Sequence, residues 1–328
     1  MQHIIEVEGL TKRYGHLCAV EGLSFAVEAG ETFGLLGPNG AGKTTTIHIL
    51  CTLLRATSGS AAVGGYDVAR QAVMVRRLIG LVFQESCLDE RLTARENLML
   101  QAALYGLPRP IARQRTDELL QLAGLHERGH DLVRIFSGGM KRRLEIARGL
   151  IHRPRVLFLD EPTLGLDPQS RNRIWAYIQG LKQSEGITVF LTTHNMEEAE
   201  QADRVAILDQ GRLVALDTPK TLKRLVGGDT VTLRTADDAL ARQRIEARWG
   251  FKVRLSEEGL CFEVPHGGQL IPMLITQLGL PIRFMSVHSP TLHDVFLALT
   301  GREVRDEPPG DKEAMRRWLE RRRWSGRY

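Results

Sequence analysis

The chain has 328 residues, 43% of them hydrophobic, which is enough apolar material for a sizeable core and for two domains. No run approaches the roughly 18 consecutive apolar residues of a spanning helix, and the opening MQHIIEVEGL lacks the basic and apolar regions of a secretory signal, so a cytoplasmic protein is expected. Of the formal net charge of +5, the stretch from Asp311 to Tyr328 supplies +4, with seven Lys or Arg against three Asp or Glu; the nearly neutral body argues against a general nucleic-acid binder.

In chain order, IIEVEGL and LSFAVEAG alternate apolar and polar residues, as strands of a half-exposed antiparallel layer do. TFGLLG, VLFLDEP and ITVFLTTH are short continuous apolar runs, the pattern of parallel strands covered on both faces, and LIGLVFQ adds another strand. Helical stretches separate them: KTTTIHILCTLL, then ARENLMLQAALYG and RQRTDELLQLAGL, then GMKRRLEIARGLI. The expected fold class is therefore α/β, a mixed central sheet with an antiparallel β layer and a helical subdomain at about 89–150.

The main domain is expected to end near Leu225, where the paired Gly227 and Gly228 break the pattern. A small α+β unit at 226–300 should follow. TVTLRT reads as a strand, DDALARQRIEARWG as a helix, FKVRLS with LCFEVP as a hairpin, GGQLIPMLITQLGL as a helix, PIRFMSVHS as a strand and TLHDVFLALTG as a last helix. It has no recognisable catalytic constellation and suits a regulatory or assembly role. Residues 301–328 form a basic tail in which Met315, Trp318, Leu319 and Arg322 share helical spacing, compatible with an anionic lipid surface, a membrane partner or a solvated end. Cys18, Cys51, Cys87 and Cys261 are scattered, without a CxxC pair, and read as reduced structural thiols.

The motif GxxxxGK[ST] is met by Gly37, Pro38, Asn39, Gly40, Ala41, Gly42, Lys43 and Thr44, with Thr45 beside it, between an apolar strand and a helix. Glycines let the amides turn inward and the helix start favours phosphate. Lys43 would reach the β and γ phosphates and Thr44 would bind Mg²⁺, which makes the fold a P-loop NTPase. The loop alone does not choose among the many nucleoside triphosphate enzymes that share it.

A second cradle begins at Ser137, 94 residues beyond Lys43. Ser137 is a good helix N-cap, and Gly138 and Gly139 expose amides at the helix start. This stretch, FSGGM, resembles the signature sequence of ATP-binding cassette (ABC) proteins, and RIFSGGMKRRLEIARGLIHRPRVLFLDEPTLGLDPQSR resembles the variant of daunorubicin-type multidrug-resistance exporters, the ABC-2 class. The resemblance covers residues 4 to 225, with a weaker echo at SPTLHDVFLALTGRE. Phe136 and Met140 depart from the commoner leucine and glutamine; a thioether at Met140 is only a weak acceptor. The resemblance implies an ATP-binding and ATP-hydrolysing transporter subunit that pairs head to tail as a homodimer, with Ser137 and Gly139 of one copy facing the γ phosphate on the other, and that works with a separate integral membrane permease.

The strand ending in VLFLDE delivers Asp160 and Glu161 to the carboxyl end of the sheet, where Asp160 would hold Mg²⁺ and Glu161 would polarise the attacking water. By resemblance, Gln84 contacts Mg²⁺ and water, and His194 is a switch histidine whose neutral imidazole would donate to the γ phosphate. The resemblance further makes Asp167 part of a dimer-contact loop and Tyr14 a stacking platform for adenine, a rim or core aromatic being the alternative. It also makes residues 89 to 130 a permease-docking surface where reversal of Arg95 or Glu96 would disturb coupling. The alternative function is a soluble ABC ATPase acting on nucleic acid or ribosomes. The 94 residues between loop and signature leave no room for the long coiled coils of DNA-repair relatives.

Overall fold

The computed structural model describes residues 3–256, 259–265 and 267–301. The tail residues Met315, Trp318, Leu319 and Arg322 lie outside them. Two compact units divide between Leu216 and Asp217, upstream of the boundary expected at Leu225.

The first unit runs β1 (His3–Tyr14), β2 (Leu17–Glu28), β3 (Thr32–Leu36), α1 (Lys43–Leu50), β4 (Ser58–Val63), β5 (Tyr66–Asp67), α2 (Ala72–Leu78) and β6 (Ile79–Val82). It continues with α3 (Ala94–Leu104), α4 (Arg109–Leu122), α5 (Gly138–Gly149), β7 (Val156–Asp160), α6 (Pro168–Glu185), β8 (Thr188–Thr193), α7 (Met196–Ala199), β9 (Arg204–Asp209) and β10 (Arg212–Asp217). In β1 the alternation works as read: Ile5, Val7 and Leu10 are buried while Glu6 and Glu8 face water. This strand lies in an antiparallel sheet ordered β2-β1-β4-β5.

The central sheet is ordered β10-β9-β3-β8-β7-β6. The pairs β9-β3, β3-β8, β8-β7 and β7-β6 are parallel. Every residue of β3, β7 and β8 is buried, which is why these strands read as unbroken apolar runs. Phe25 of β2 stacks on Phe33 of β3 at 5.3 Å, and Phe33 on Phe190 of β8 at 5.4 Å, joining the two sheets through rings. Each fully buried phenylalanine contributes about 1.5 to 3 kcal/mol of hydrophobic stabilisation.

Helices α3 and α4 share a core of Leu98, Ala102, Leu119, Leu120 and Leu125. A capping box starts α3, with Glu96 Oε2 accepting from the Thr93 amide at 2.8 Å and Thr93 Oγ1 from the Glu96 amide at 3.2 Å. Arg95 pairs with Asp117 of α4 at 2.5 Å. Arg115 of α4, 4% exposed, reaches Glu185 at the end of α6 at 2.8 Å. Helix α5 crosses β6 at a glycine contact, where a Cβ on Gly80 would meet the Gly149 carbonyl oxygen at 2.3 Å. The first helix is shorter than KTTTIHILCTLL suggests. It stops at Leu50, and Thr52 turns into the left-handed region at φ 64°.

The second unit contains α8 (Pro219–Arg224), β11 (Asp229–Thr235), α9 (Asp238–Trp249), β12 (Arg254–Ser256), β13 (Gly259–Val264), α10 (Gly267–Gln277), β14 (Ile282–His288) and α11 (Leu292–Thr300). Its antiparallel sheet, β12-β13-β11-β14, packs against α9 and α10 around Val231, Leu233, Ile245, Phe262 and Leu274. Each strand and helix read from this part of the sequence is present. Helix α8 packs on α11, which is why the contacts change partner before Leu225 rather than at the paired glycines. All four cysteines are free thiols, Cys51 buried and Cys87 exposed. No helix of the described residues is long and apolar enough to cross a membrane.

Candidate active site

The phosphate loop joins β3 to α1 at the carboxyl end of the parallel sheet, where such sheets place their ligands. Its glycines have separate jobs. A Cβ on Gly37 would sit 2.4 Å from the Leu208 carbonyl oxygen, so the loop could not lie on β9 with any side chain there. Gly42, at φ 98°, is the N-cap of α1 and would bring a Cβ 2.4 Å from the Ala19 carbonyl. Pro38 is half-buried, Asn39 and Gly40 are exposed at the tip, and Ala41 and Thr45 are buried beneath it.

Lys43, 4% exposed, donates from Nζ to the carbonyls of Gly37 at 2.8 Å and Pro38 at 3.0 Å. The same ammonium is 3.5 Å from Glu161 Oε1. The opposite carboxylate oxygen of Glu161 lies 3.3 Å from His194 Nδ1. Burial pushes the Glu161 carboxyl up, but the hydrogen bond to His194 and the charge of Lys43 outweigh it and hold the group below the ordinary glutamate range. A carboxylate kept ionised between an ammonium and an imidazole is free to accept a hydrogen bond from a water, the first requirement of a general base.

Glu161 has a backbone φ of 46°, left-handed for a residue with a Cβ. Its amide donates to the carbonyl and to the hydroxyl of Thr192, each at 3.1 Å. Asp160, 2% exposed, accepts from Thr192 Oγ1 at 2.5 Å and from Thr44 Oγ1 at 3.4 Å. Thr192 thus serves both carboxylate residues, a role sequence reasoning missed although ITVFLTTH was read as a strand of this sheet. Among the described residues no group of three or more His, Cys, Asp or Glu could hold a metal by itself. The Thr44 and Asp160 oxygens fit instead a hard cation that takes its other ligands from phosphates and water, as Mg²⁺ does.

A cavity of about 120 Å³ opens beside Glu161 and His194, lined also by Thr163, Arg171, Thr193 and Glu198. Glu198 is 5% exposed, and burial raises its carboxyl above the ordinary range despite a hydrogen bond to Thr193. Its place in the run MEEAE gave no sign of burial. Asp167 is exposed and caps α6 through a 2.9 Å bond from the Ser170 amide. Gln84 is half-buried just beyond β6.

Ser137 and Gly138 are exposed, and Ser137 accepts from the Met140 amide at 3.3 Å as N-cap of α5. A Cβ on Gly139 would stand 3.1 Å from Ser170 Oγ, so the signature turn lies close against the start of α6. Tyr14 is buried. Its ring is 8% exposed with the Lys12 ammonium 5.1 Å above it, and burial raises its hydroxyl against a hydrogen bond with Thr45. Stacking on a base at that face would require Lys12 to move aside. At His194 a neutral imidazole has one N–H, so it donates either from Nδ1 to Glu161 or from Nε2 to phosphate.

A parallel sheet carrying a phosphate loop, an adjacent Asp-Glu pair and a histidine over the glutamate define a P-loop nucleoside triphosphatase. The chain belongs to the family of ABC transporter ATP-binding proteins, and it is an ATPase. An ABC transporter domain profile matches residues 20–164. The chain is 39% identical to the linearmycin resistance ATP-binding protein LnrL of Bacillus subtilis, over 92% of this chain and 100% of that one. It is 41% identical to the daunorubicin/doxorubicin resistance ATP-binding protein DrrA of Streptomyces peucetius, over 92% and 94%. With the Nod factor export ATP-binding protein I of Ralstonia nicotianae it shares 42%, over 92% and 95%. Among solved structures it is similar to a dimeric ATP-binding cassette in a post-hydrolysis state bound to ADP and Pi, with a TM-score of 0.59, 27% identity, and coverage of 65% of this chain and 98% of that one.

Proposed function

We propose that this chain drives export through a separate membrane permease, by ATP-dependent head-to-tail pairing of two copies. The observation that carries the chemistry is Glu161, held between Lys43 and His194 beside the phosphate loop. In this reading Lys43 and the loop amides bind the phosphates of ATP, Thr44, Asp160 and Gln84 hold Mg²⁺ or its waters, and Glu161 takes the proton of the attacking water. The metal supplies charge neutralisation on the phosphates. His194 orients the base through Nδ1 or, as the other tautomer, donates from Nε2 to the γ phosphate.

The exposed signature cradle supports the pairing. Ser137 and Gly138 offer a second set of helix-start donors that a partner copy's nucleotide can use. The direction of transport rests on relatives named for drug resistance and Nod factor export; the nucleic-acid alternative has no comparable support. In α3, Leu100 and Leu104 are 50% and 74% exposed, an apolar edge suited to a permease segment. Because Glu96 caps α3 and Arg95 ties α3 to α4, reversing either charge also loosens the subdomain, and Leu104→Glu is the cleaner probe of docking.

The test is E161Q in native membranes with ATP and Mg²⁺, followed by gentle solubilisation and affinity capture. The variant should bind ATP, turn over at least 100-fold more slowly, and bring down a polytopic membrane protein in near-stoichiometric amount. Normal turnover would remove Glu161 as base, and capture of soluble partners alone would remove the permease.

A further inference from the structure

The guanidinium of Arg142, in the second turn of the signature helix α5, is 7% exposed and spends all five of its N–H donors inside the protein. Nε donates to the Pro162 carbonyl at 2.6 Å. Nη2 donates to the carbonyls of Asp160 at 3.0 Å and Glu161 at 3.3 Å. Nη1 donates to the carbonyl of Phe83 at 2.6 Å and to Glu145 Oε2 at 2.9 Å. The other oxygen of Glu145, itself 4% exposed, accepts from the Cys87 amide at 3.0 Å.

One fork therefore grips three successive carbonyls of the catalytic turn, and with Glu145 it grips the Gln84 loop on both sides of the glutamine. Glu161 is the residue at positive φ within that turn. Thr192 holds its amide and Arg142 holds its carbonyl, so the strained conformation is fixed from both ends. We propose that Arg142, braced by Glu145, is a positioning residue that holds Glu161 in its left-handed conformation and ties the base and the Gln84 loop to the signature helix. A displacement of the helix that begins at Ser137 then moves the base and the loop together. Arg142 does not touch Lys43 or Thr44 in any hydrogen bond described above, so nucleotide affinity and base placement are separable. The inference rests on Glu161 being the base.

The experiment measures ATPase kinetics, fluorescent-nucleotide affinity and thermal unfolding of the full chain for R142M, R142K, E145Q and E161Q. In R142M, kcat should fall on the order of 100-fold, the penalty of an ångström-scale misplacement, with ATP affinity within about threefold of the parent. The acid limb of its kcat profile should move to higher pH as Glu161 leaves Lys43 and His194. A lysine has three donors and no fork, so R142K should recover only part of kcat, and E145Q should fall between R142K and the parent.

Parental kcat in R142M or R142K overturns the proposal, as does a loss of kcat matched by an equal loss of ATP affinity with no movement of the acid limb. If R142M does not fold, R142K decides on the same criteria. Normal turnover in E161Q would sink the base assignment itself, whereas a collapsed E161Q beside an unaffected R142K would sink only the role of Arg142.

Discussion

Replacing Gly80 with alanine should damage the protein far more than replacing Gly149, although the two glycines touch. A Cβ at Gly80 would lie 2.3 Å from the Gly149 carbonyl oxygen, 3.0 Å from its carbon and 3.1 Å from Leu157 Cδ1. Two of those three atoms are main chain and cannot swing away, so α5 and β6 must separate. Overpacking of this kind costs about 1 to 3 kcal/mol, or roughly 3 to 10 °C in Tm for a unit of this size. The nearest neighbours of a Cβ at Gly149 are side chains, Leu157 Cδ1 at 3.3 Å and Val82 Cγ2 at 3.5 Å, with the Leu81 main-chain nitrogen at 3.9 Å in ordinary van der Waals contact, and the gain in helix propensity of up to about 1 kcal/mol offsets the side-chain contact. G149A should therefore stay within about 1 kcal/mol of the parent. Thermal melts followed by circular dichroism check both, and ATPase activity below the transition should fall in G80A because α5 carries the signature turn. Equal shifts for the two variants, or an unshifted G80A, would refute the assignment of the clash to backbone.

The pH dependence of hydrolysis follows from the lowered Glu161 carboxyl. The ionised base persists below the ordinary glutamate range, so kcat should hold to lower pH than an unperturbed glutamate allows, and H194A should move the acid limb upward because it removes the hydrogen bond to His194, the largest of the effects opposing burial. A rate profile across pH 4 to 8 for parent and H194A reads this directly; an unmoved limb would mean that the histidine does not tune the base. Arg115→Met leaves the half-buried Glu185 without its cation and should cost about 2 to 4 kcal/mol, while adding Glu185→Leu should recover part of the loss, since an apolar pair replaces a buried ionic one cheaply. Denaturant unfolding of the single and double variants checks the recovery.

The sequence displayed its local physics and concealed its convergences. Alternation in β1, unbroken apolar runs in β3, β7 and β8, and the glycine spacing of the phosphate loop are all dictated by which face meets water or phosphate, and a single stretch of chain carries each signal. Arg142 had no such signal. Lys141, Arg142 and Arg143 form a basic run that reads as a solvated face, yet successive helical positions turn by about 100° and send the three side chains apart. Lys141 pairs with Glu90 at 2.5 Å, Arg143 donates to the Ala123 carbonyl at 2.9 Å, and only Arg142 points at the catalytic turn. Helix α6 was legible in retrospect: Asp167 is a cap, Pro168 a favoured first residue, and Ile174, Ile178 and Leu181 keep one face. The pairing of Tyr14 with Lys12 follows from the alternation of β1, since residues two apart share a face with Leu10; what TKRYG does not display is that this face stays covered at its polar end.

The strand order has a consequence for how the chain is made. Residue Thr32 of β3 pairs with Val189 of β8, and Phe33 with Arg204 of β9, so both edges of this fully buried strand wait for chain synthesised more than 150 residues later. At about 5 to 20 residues per second, an emerging copy carries TFGLL without sheet neighbours for roughly ten to thirty seconds. In refolding of the full-length chain both neighbours are present from the start, so the wait of the central strand belongs to translation alone.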